Sequence, residues 1–126
     1  MDFLGHISFS VSDLQKSMAF YDAALGALGH KRVYTGKAGA GWGRSEGREI
    51  FEIKKRVDQV SRPSKGFHLA FHANKQNEVH EFYDQAIKHG GRDNGAPGPR
   101  PEYGQNYYAA FIIDPDGYEL EVKLFV

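Results

Sequence analysis

Two histidines and two glutamates stand at matching places in the two halves of this chain: His6 and Glu52 in the first, His68 and Glu121 in the second. The 126 residues include no cysteine, so disulfides and thiolate ligation are excluded, and any metal would rest on imidazole and carboxylate donors. Two imidazoles and a carboxylate on one inner sheet face form a set that binds Zn²⁺, Ni²⁺, Mn²⁺ or Fe²⁺ and leaves coordination positions open. Such an ion acts as a Lewis acid on an oxygenated substrate. Whether His6, His68 and Glu121 reach one another depends on the elements that carry them.

From Leu4 to Val11 the side chains alternate, with Ile7, Phe9 and Val11 on one face and His6, Ser8 and Ser10 on the other. A helix follows. Ser12 and Gln15 have capping-box spacing, Leu14, Met18, Tyr21, Ala24, Leu25 and Leu28 form an apolar stripe, and Gly29 stops it. After Val33-Tyr34 comes a glycine-rich run from Gly36 to Gly47 around Trp42, then a short strand at Ile50–Ile53. Asp58 to Gly66 reads as a linker.

The second half repeats the first. His68-Leu-Ala-Phe71 echoes His6-Ile-Ser-Phe9, and Phe82-Tyr83-Asp84 echoes Phe20-Tyr21-Asp22, both 62 residues on (68 minus 6, 82 minus 20), with Gly91 answering Gly29. Val79, Phe82, Tyr83, Ala86 and Ile87 give the second helix its stripe. Gly91 to Asn106 reads as an inserted loop before a strand at Tyr107–Ile113. Aligning the strands beyond it at an offset of 69 (121 minus 52, 111 minus 42) sets Glu121 opposite Glu52 and Phe111 opposite Trp42. Asp114-Pro115-Asp116-Gly117 is a tight turn, and from Tyr118 the alternation puts Leu120 and Val122 against the helix layer, so Glu121 faces inward with the histidines.

Composition excludes several classes. Sixteen Lys+Arg balance sixteen Asp+Glu, which removes any general attraction to nucleic acid or an anionic membrane. No apolar run is long enough to span a bilayer and no basic, then apolar, leader opens the chain, so the expected location is cytoplasmic. The glycine run lacks the lysine and following helix of a nucleotide loop, and no Ser-His-Asp constellation is present.

Over essentially its whole length the chain resembles the vicinal oxygen chelate superfamily of glyoxalases, bleomycin-resistance proteins and extradiol dioxygenases. The resemblance rests on His6 opening the first strand, the Phe20-Tyr21 helix ahead of Leu28-Gly29, His68-Leu-Ala-Phe71, and Asp114-Pro-Asp-Gly117 followed by Glu121. The segment Gly91–Gly98 with Tyr107–Phe111 looks like an uncharacterised glyoxalase-like branch. The resemblance implies an α+β fold of two duplicated βαβββ modules, about 1–57 and about 66–126 of a single domain. Their curved mixed sheets would enclose a cavity, with helices on the outer face. It also implies a divalent metal held by strand-borne residues, for which His6, Glu52, His68 and Glu121 are the matching positions, and homodimerisation.

The expected function is a metal-dependent lyase or isomerase acting on a small oxygenated molecule. His6, His68 and Glu121 would hold the metal, and Glu52 would be a fourth ligand or a proton-moving base. A register slip of one residue would turn Glu52 to solvent. Trp42, Tyr103, Tyr107, Tyr108 and Phe111 are candidate pocket aromatics, although aromatics on strands also serve as core. Arg100, with Arg92 and Asn94, is a candidate for an anionic substrate group. His72, four residues beyond His68 and on the same face, is its alternative as ligand. A metal-free module that sequesters an organic ligand and an Fe²⁺-dependent extradiol dioxygenase are the competing readings.

Overall fold

The duplication extends to the strand register. The computed structural model describes residues 3–56 and 64–124. Module one runs β1 (Ile7–Val11), α1 (Leu14–Gly26), β2 (Lys31–Thr35), β3 (Gly39–Gly43) and β4 (Glu49–Lys55). Module two runs β5 (Leu69–Ala73), α2 (Gln76–Lys88), β6 (Arg92–Pro99), a 3₁₀ turn at Pro101–Tyr103, β7 (Tyr108–Ile113) and β8 (Glu119–Leu124). Each forms a four-stranded mixed sheet, ordered β1-β4-β3-β2 and β5-β8-β7-β6, whose first and last strands run parallel while the rest are antiparallel. The architecture is α+β with duplicated βαβββ modules. Part of the linker read at Asp58–Gly66 lies outside the described residues.

Both helices pack on the apolar sheet faces and share one core. The α1 stripe of Leu14, Met18, Tyr21, Ala24 and Leu25, continued by Leu28, is buried throughout. In α2 only Val79, Phe82 and Ala86 are buried; Ile87 is exposed, and the Tyr83 hydroxyl donates to Asp93. Phe9 stacks on Tyr118 at 4.2 Å, and Phe51 meets Phe71 edge-on at 5.7 Å, so aromatic contacts join the modules across the core.

Three local readings differ from expectation. The α1 N-cap is Asp13, whose carboxylate accepts from the Lys16 amide, because the Ser12 hydroxyl and amide both donate to Asp116 instead. The supposed loop from Gly91 to Asn106 contains β6, the edge strand of its sheet. Register shifts on both sides of Gly95 mask the alternation, and an outer strand tolerates Pro97 and Pro99. The alignment of β3 with β7 is off by one: Gly41 lies across from Glu52, whereas Phe111 lies across from Glu121. Trp42 therefore matches Ile112, and both are core residues.

The Asp114–Gly117 turn ties the modules together. Asp114 is 1% exposed; its Oδ1 accepts from the Asp116 and Tyr118 amides at 2.9 Å each, and its Oδ2 from the Tyr21 hydroxyl at 2.6 Å. Gly117 takes the positive φ of 97° that closes the turn. The Tyr118 hydroxyl donates to the Ser10 carbonyl at 2.8 Å, back on β1. Burial raises the pKa of Asp114 against the lowering effect of its hydrogen bonds.

Replacing Tyr21 with Phe leaves Asp114 Oδ2 buried without its donor, and thermal unfolding should show a loss of about 1–3 kcal/mol. Because the folded state holds the Asp114 proton more tightly than the unfolded chain, its contribution to stability is greatest below the ordinary carboxylate value and falls as pH rises through the raised one. Melting curves across that window should fall more steeply for wild type than for Asp114→Asn.

Candidate functional site

The sheet faces turned away from the helices carry the polar residues. In β8, Leu120 and Val122 are buried in the core, so Glu121 between them projects from the other, open face, flanked in register by Ala70 of β5 and Phe111 of β7. Glu121 is nonetheless 3% exposed. Its Oε1 lies 3.0 Å from His68 Nε2, and its Oε2 accepts a 2.6 Å hydrogen bond from the Tyr107 hydroxyl. Both carboxylate oxygens are thus held in fixed directions. Burial first, then the bond to Glu121, hold the Tyr107 phenol well above its ordinary pKa, so it stays a hydrogen-bond donor at neutral pH. The His68 side chain is 50% exposed and remains open to a ligand.

Around this pair, Lys123 places its ammonium 4.5 Å above the Tyr107 ring, and Tyr103 meets Tyr107 with ring centroids 5.5 Å apart. Arg100 lies over Phe111, its Cζ 5.4 Å from the ring centre, and donates to the carbonyls of Ala96, Gly98 and Pro99. Tyr108, one residue beyond Tyr107, points to the helix side, where its hydroxyl is 2.6 Å from His80 Nε2 on α2.

In module one, Glu52 is half-buried, paired in register with Ser8 and Gly41. It lines a shallow, open depression of about 450 Å³ with Tyr34, Glu49, Lys54 and Arg56. A Cβ on Gly41 would come within 2.7 Å of the Glu49 side chain and 3.4 Å of that of Glu52, so the glycine gives these carboxylates room. Glu52 makes no hydrogen bond or ion pair among the described residues, in contrast to Glu121. His6 precedes β1 and is exposed. Trp42 departs from its expected place in the pocket: it is 1% exposed, packed against Tyr21 and Phe51, with Nε1 donating to Asp22. It belongs to the core because it pairs with Phe51, one residue out of phase with Glu52.

Of the four candidate ligands, one chain brings together His68 and Glu121. Among the described residues no three His, Asp or Glu side chains are grouped to hold a metal. The pair itself fits one edge of a coordination polyhedron, since donors about 2.0–2.2 Å from an ion at octahedral or tetrahedral angles lie roughly 2.8–3.6 Å apart. Sequence reasoning assigned Tyr107 only to the pocket wall and passed over Lys123. The parity of β8 carried the signal for Lys123, two residues beyond Glu121 on the same face. The Tyr107 contact joins residues 14 apart through strand pairing and had no local signature.

A family model described as Glyoxalase/Bleomycin resistance protein/Dioxygenase superfamily matches residues 3–122. Among solved structures, a glyoxalase/bleomycin resistance protein from Albidiferax ferrireducens T118 is 27% identical with a TM-score of 0.85, covering 99% of this chain and 100% of its own. A putative glyoxalase from Bacillus halodurans is 24% identical with a TM-score of 0.74, covering 98% and 96%. Glyoxalase I from Zea mays is 22% identical with a TM-score of 0.72; the match covers 94% of this chain and 44% of the maize enzyme. The last two likenesses are of fold. No curated protein matches the chain in sequence. With the family model spanning nearly every residue and both modules in place, the chain belongs to the glyoxalase/bleomycin resistance protein/dioxygenase superfamily.

Proposed function

We propose that this protein is a metal-dependent enzyme of the lyase or isomerase type, acting on a small oxygenated molecule as a cytoplasmic homodimer. The observation that carries the reading is the 3.0 Å approach of His68 Nε2 to Glu121 Oε1, with the second carboxylate oxygen tethered by Tyr107. A carboxylate so oriented presents one oxygen, beside an imidazole that is half open to solvent. His6 and Glu52 belong to the other module, and pairing of module one from one protomer with module two from its partner would add His6 to His68 and Glu121 as the third ligand and bring Glu52 beside them. A divalent metal bound there supplies Lewis acidity toward a substrate oxygen. Glu52, half-buried and without a hydrogen-bond partner among the described residues, suits the role of the base that takes a proton from the substrate and returns it. Tyr107 keeps Glu121 from rotating, and no helix of the described chain is long and apolar enough to cross a membrane.

A second reading is supported by the aromatic surface of Tyr103, Tyr107 and Phe111, with Tyr103 61% exposed: a metal-free module that encloses an organic ligand. Chelator separates the two readings, since binding of such a ligand is indifferent to it.

Titration with Zn²⁺, Ni²⁺, Mn²⁺ and Fe²⁺ at near-neutral pH, followed by elemental analysis, should show saturable uptake in wild type and loss of about a hundredfold or more in affinity for His68→Ala. Absence of uptake, or uptake that ignores His68, would sink the metal reading. Tyr107→Phe frees Glu121 Oε2 and should weaken metal binding by about 10–100-fold with the fold retained, as removal of outer partners of metal ligands generally does.

A further inference from the structure

The open face of module two holds two cations that form no ion pair. Among the described residues the ion pairs are Arg32–Asp22 and His68–Glu121, so neither Lys123 nor Arg100 has an acidic partner within 4.0 Å. Arg100 is held in place. Its guanidinium donates to three backbone carbonyls, lies over Phe111, and occupies space left by Gly95 and Gly98, where an added Cβ would stand 3.3 Å from its terminal nitrogens. Neutral carbonyls satisfy its N–H groups but leave its charge uncompensated. Lys123 rests its ammonium on the Tyr107 ring, half-buried, with Ala109 facing it from β7 and His72 from β5. Cation–π contact orients an ammonium without neutralising it.

These two groups flank the Glu121–His68 pair. Phe111, under Arg100, sits directly across from Glu121, and Tyr107, under Lys123, donates to Glu121. The one other carboxylate of β8, Glu119, stands opposite Ile113, four residues from Lys123, or roughly 13–14 Å along the strand. Glu102, two residues from Arg100, is exposed and forms no ion pair with it, and the negative charge of Glu121 is shared between an imidazole and a phenol. A ligand approaching His68 therefore meets two cations free of ion pairs over an aromatic floor. Neutral diols or aldehydes gain nothing from these cations, whereas an anion gains both charges.

We propose that the small molecule bound at the His68–Glu121 face is an anion carrying a carboxylate or similar acidic oxygen group, and that Lys123 receives that group while Arg100 supplies a fixed positive field. The assignment deepens the proposed function by giving the substrate its charge class, and it makes Lys123 a specificity-determining residue. The spacing of about 7 Å between Lys123 and Glu121 along β8 suits a ligand whose oxygenated carbon neighbours its acid group.

The test uses glycolate and its neutral counterpart glycolamide as probes of the full-length protein, by chemical-shift titration in the millimolar range, with chelator and again after metal loading. Glycolate should perturb the amides of Tyr107, Phe111, Glu121 and Lys123 and bind at least about tenfold tighter than glycolamide, with affinity falling as salt rises. Lys123→Gln should weaken glycolate about tenfold and leave glycolamide unchanged, and Lys123→Arg should restore most of the loss. Equal binding of the two probes, no glycolate binding in either state, or a Lys123→Gln protein indistinguishable from wild type would overturn the assignment. Metal uptake is measured on the same samples. If wild type binds no metal while glycolate still depends on Lys123, the metal reading falls and the anion site stands; if metal binds and Lys123 is irrelevant, the anion site falls alone.

Discussion

The Asp114 carboxylate is the constraint on which the arrangement of the open face depends. A carboxylate removed from water must have its lone pairs engaged, and Asp114 meets that demand with two amides of its own turn and a phenol from the other module. Those bonds fix the residue at which β8 begins and seat Tyr118 against Phe9 in the shared core. From there the two-residue period of the strand leaves no freedom: Leu120 and Val122 go in, Glu121 and Lys123 come out. The direction of the buried glutamate is thus settled at a turn seven residues before it.

The two modules share a scaffold and use it differently. Ser8 beside Glu52 and Ala70 beside Glu121 occupy the same register position, so the glutamates are true structural counterparts. Glu121 is nearly enclosed and its two oxygens are spent on His68 and Tyr107, which resists its rotation and limits how a ligand can engage it. Glu52 stands in an open depression beside Lys54 and Arg56 with neither oxygen committed. A duplicated carboxylate has become one oriented and one available group. The repeated Phe-Tyr-Asp segments diverge in the same way: Tyr21 reaches the buried Asp114, while Tyr83 reaches the exposed Asp93.

Much of the fold was legible because its signals are local and strong. The α1 stripe, the gapless 62-residue echo and the Asp-Pro-Asp-Gly turn each depend on neighbours in sequence. β6 escaped notice because register shifts and prolines erase the period that announces a strand, and an edge position is where such a sequence can still pair. The slip that set Trp42 opposite Phe111 has a related origin. The β3–β4 hairpin holds one residue more than β7–β8, 11 steps from Gly41 to Glu52 (52 minus 41) against 10 from Phe111 to Glu121 (121 minus 111), with a register shift beside Trp42, so one offset applied to both strands slips by one residue, enough to move an aromatic between core and open face. Of the candidate site, Glu121 and His68 could be placed from parity alone. The hold of Tyr107 on Glu121, the carbonyl cradle of Arg100 and the separation of His6 from His68 depend on strand pairing and on how the modules sit together, which no local pattern encodes.

Why such a scaffold can host different chemistries follows from the division between its faces. On the helix side, Phe9 touches Phe51, Phe67 and Tyr118, and Phe51 touches Tyr21, Trp42 and Phe71, so one substitution there disturbs both modules at once and leaves a cavity or a clash in close-packed surroundings. On the open side, Ala70, His72, Ala109, Phe111 and Lys123 meet one another through pairwise strand contacts and are not anchored in that core. Changing one of them re-aims a single charge or ring without unsettling the fold. Fold membership therefore constrains the core far more than it constrains what is bound. The distinguishing chemistry of this chain lies in a few open-face positions: a carboxylate locked between imidazole and phenol, with an ammonium and a guanidinium on either side.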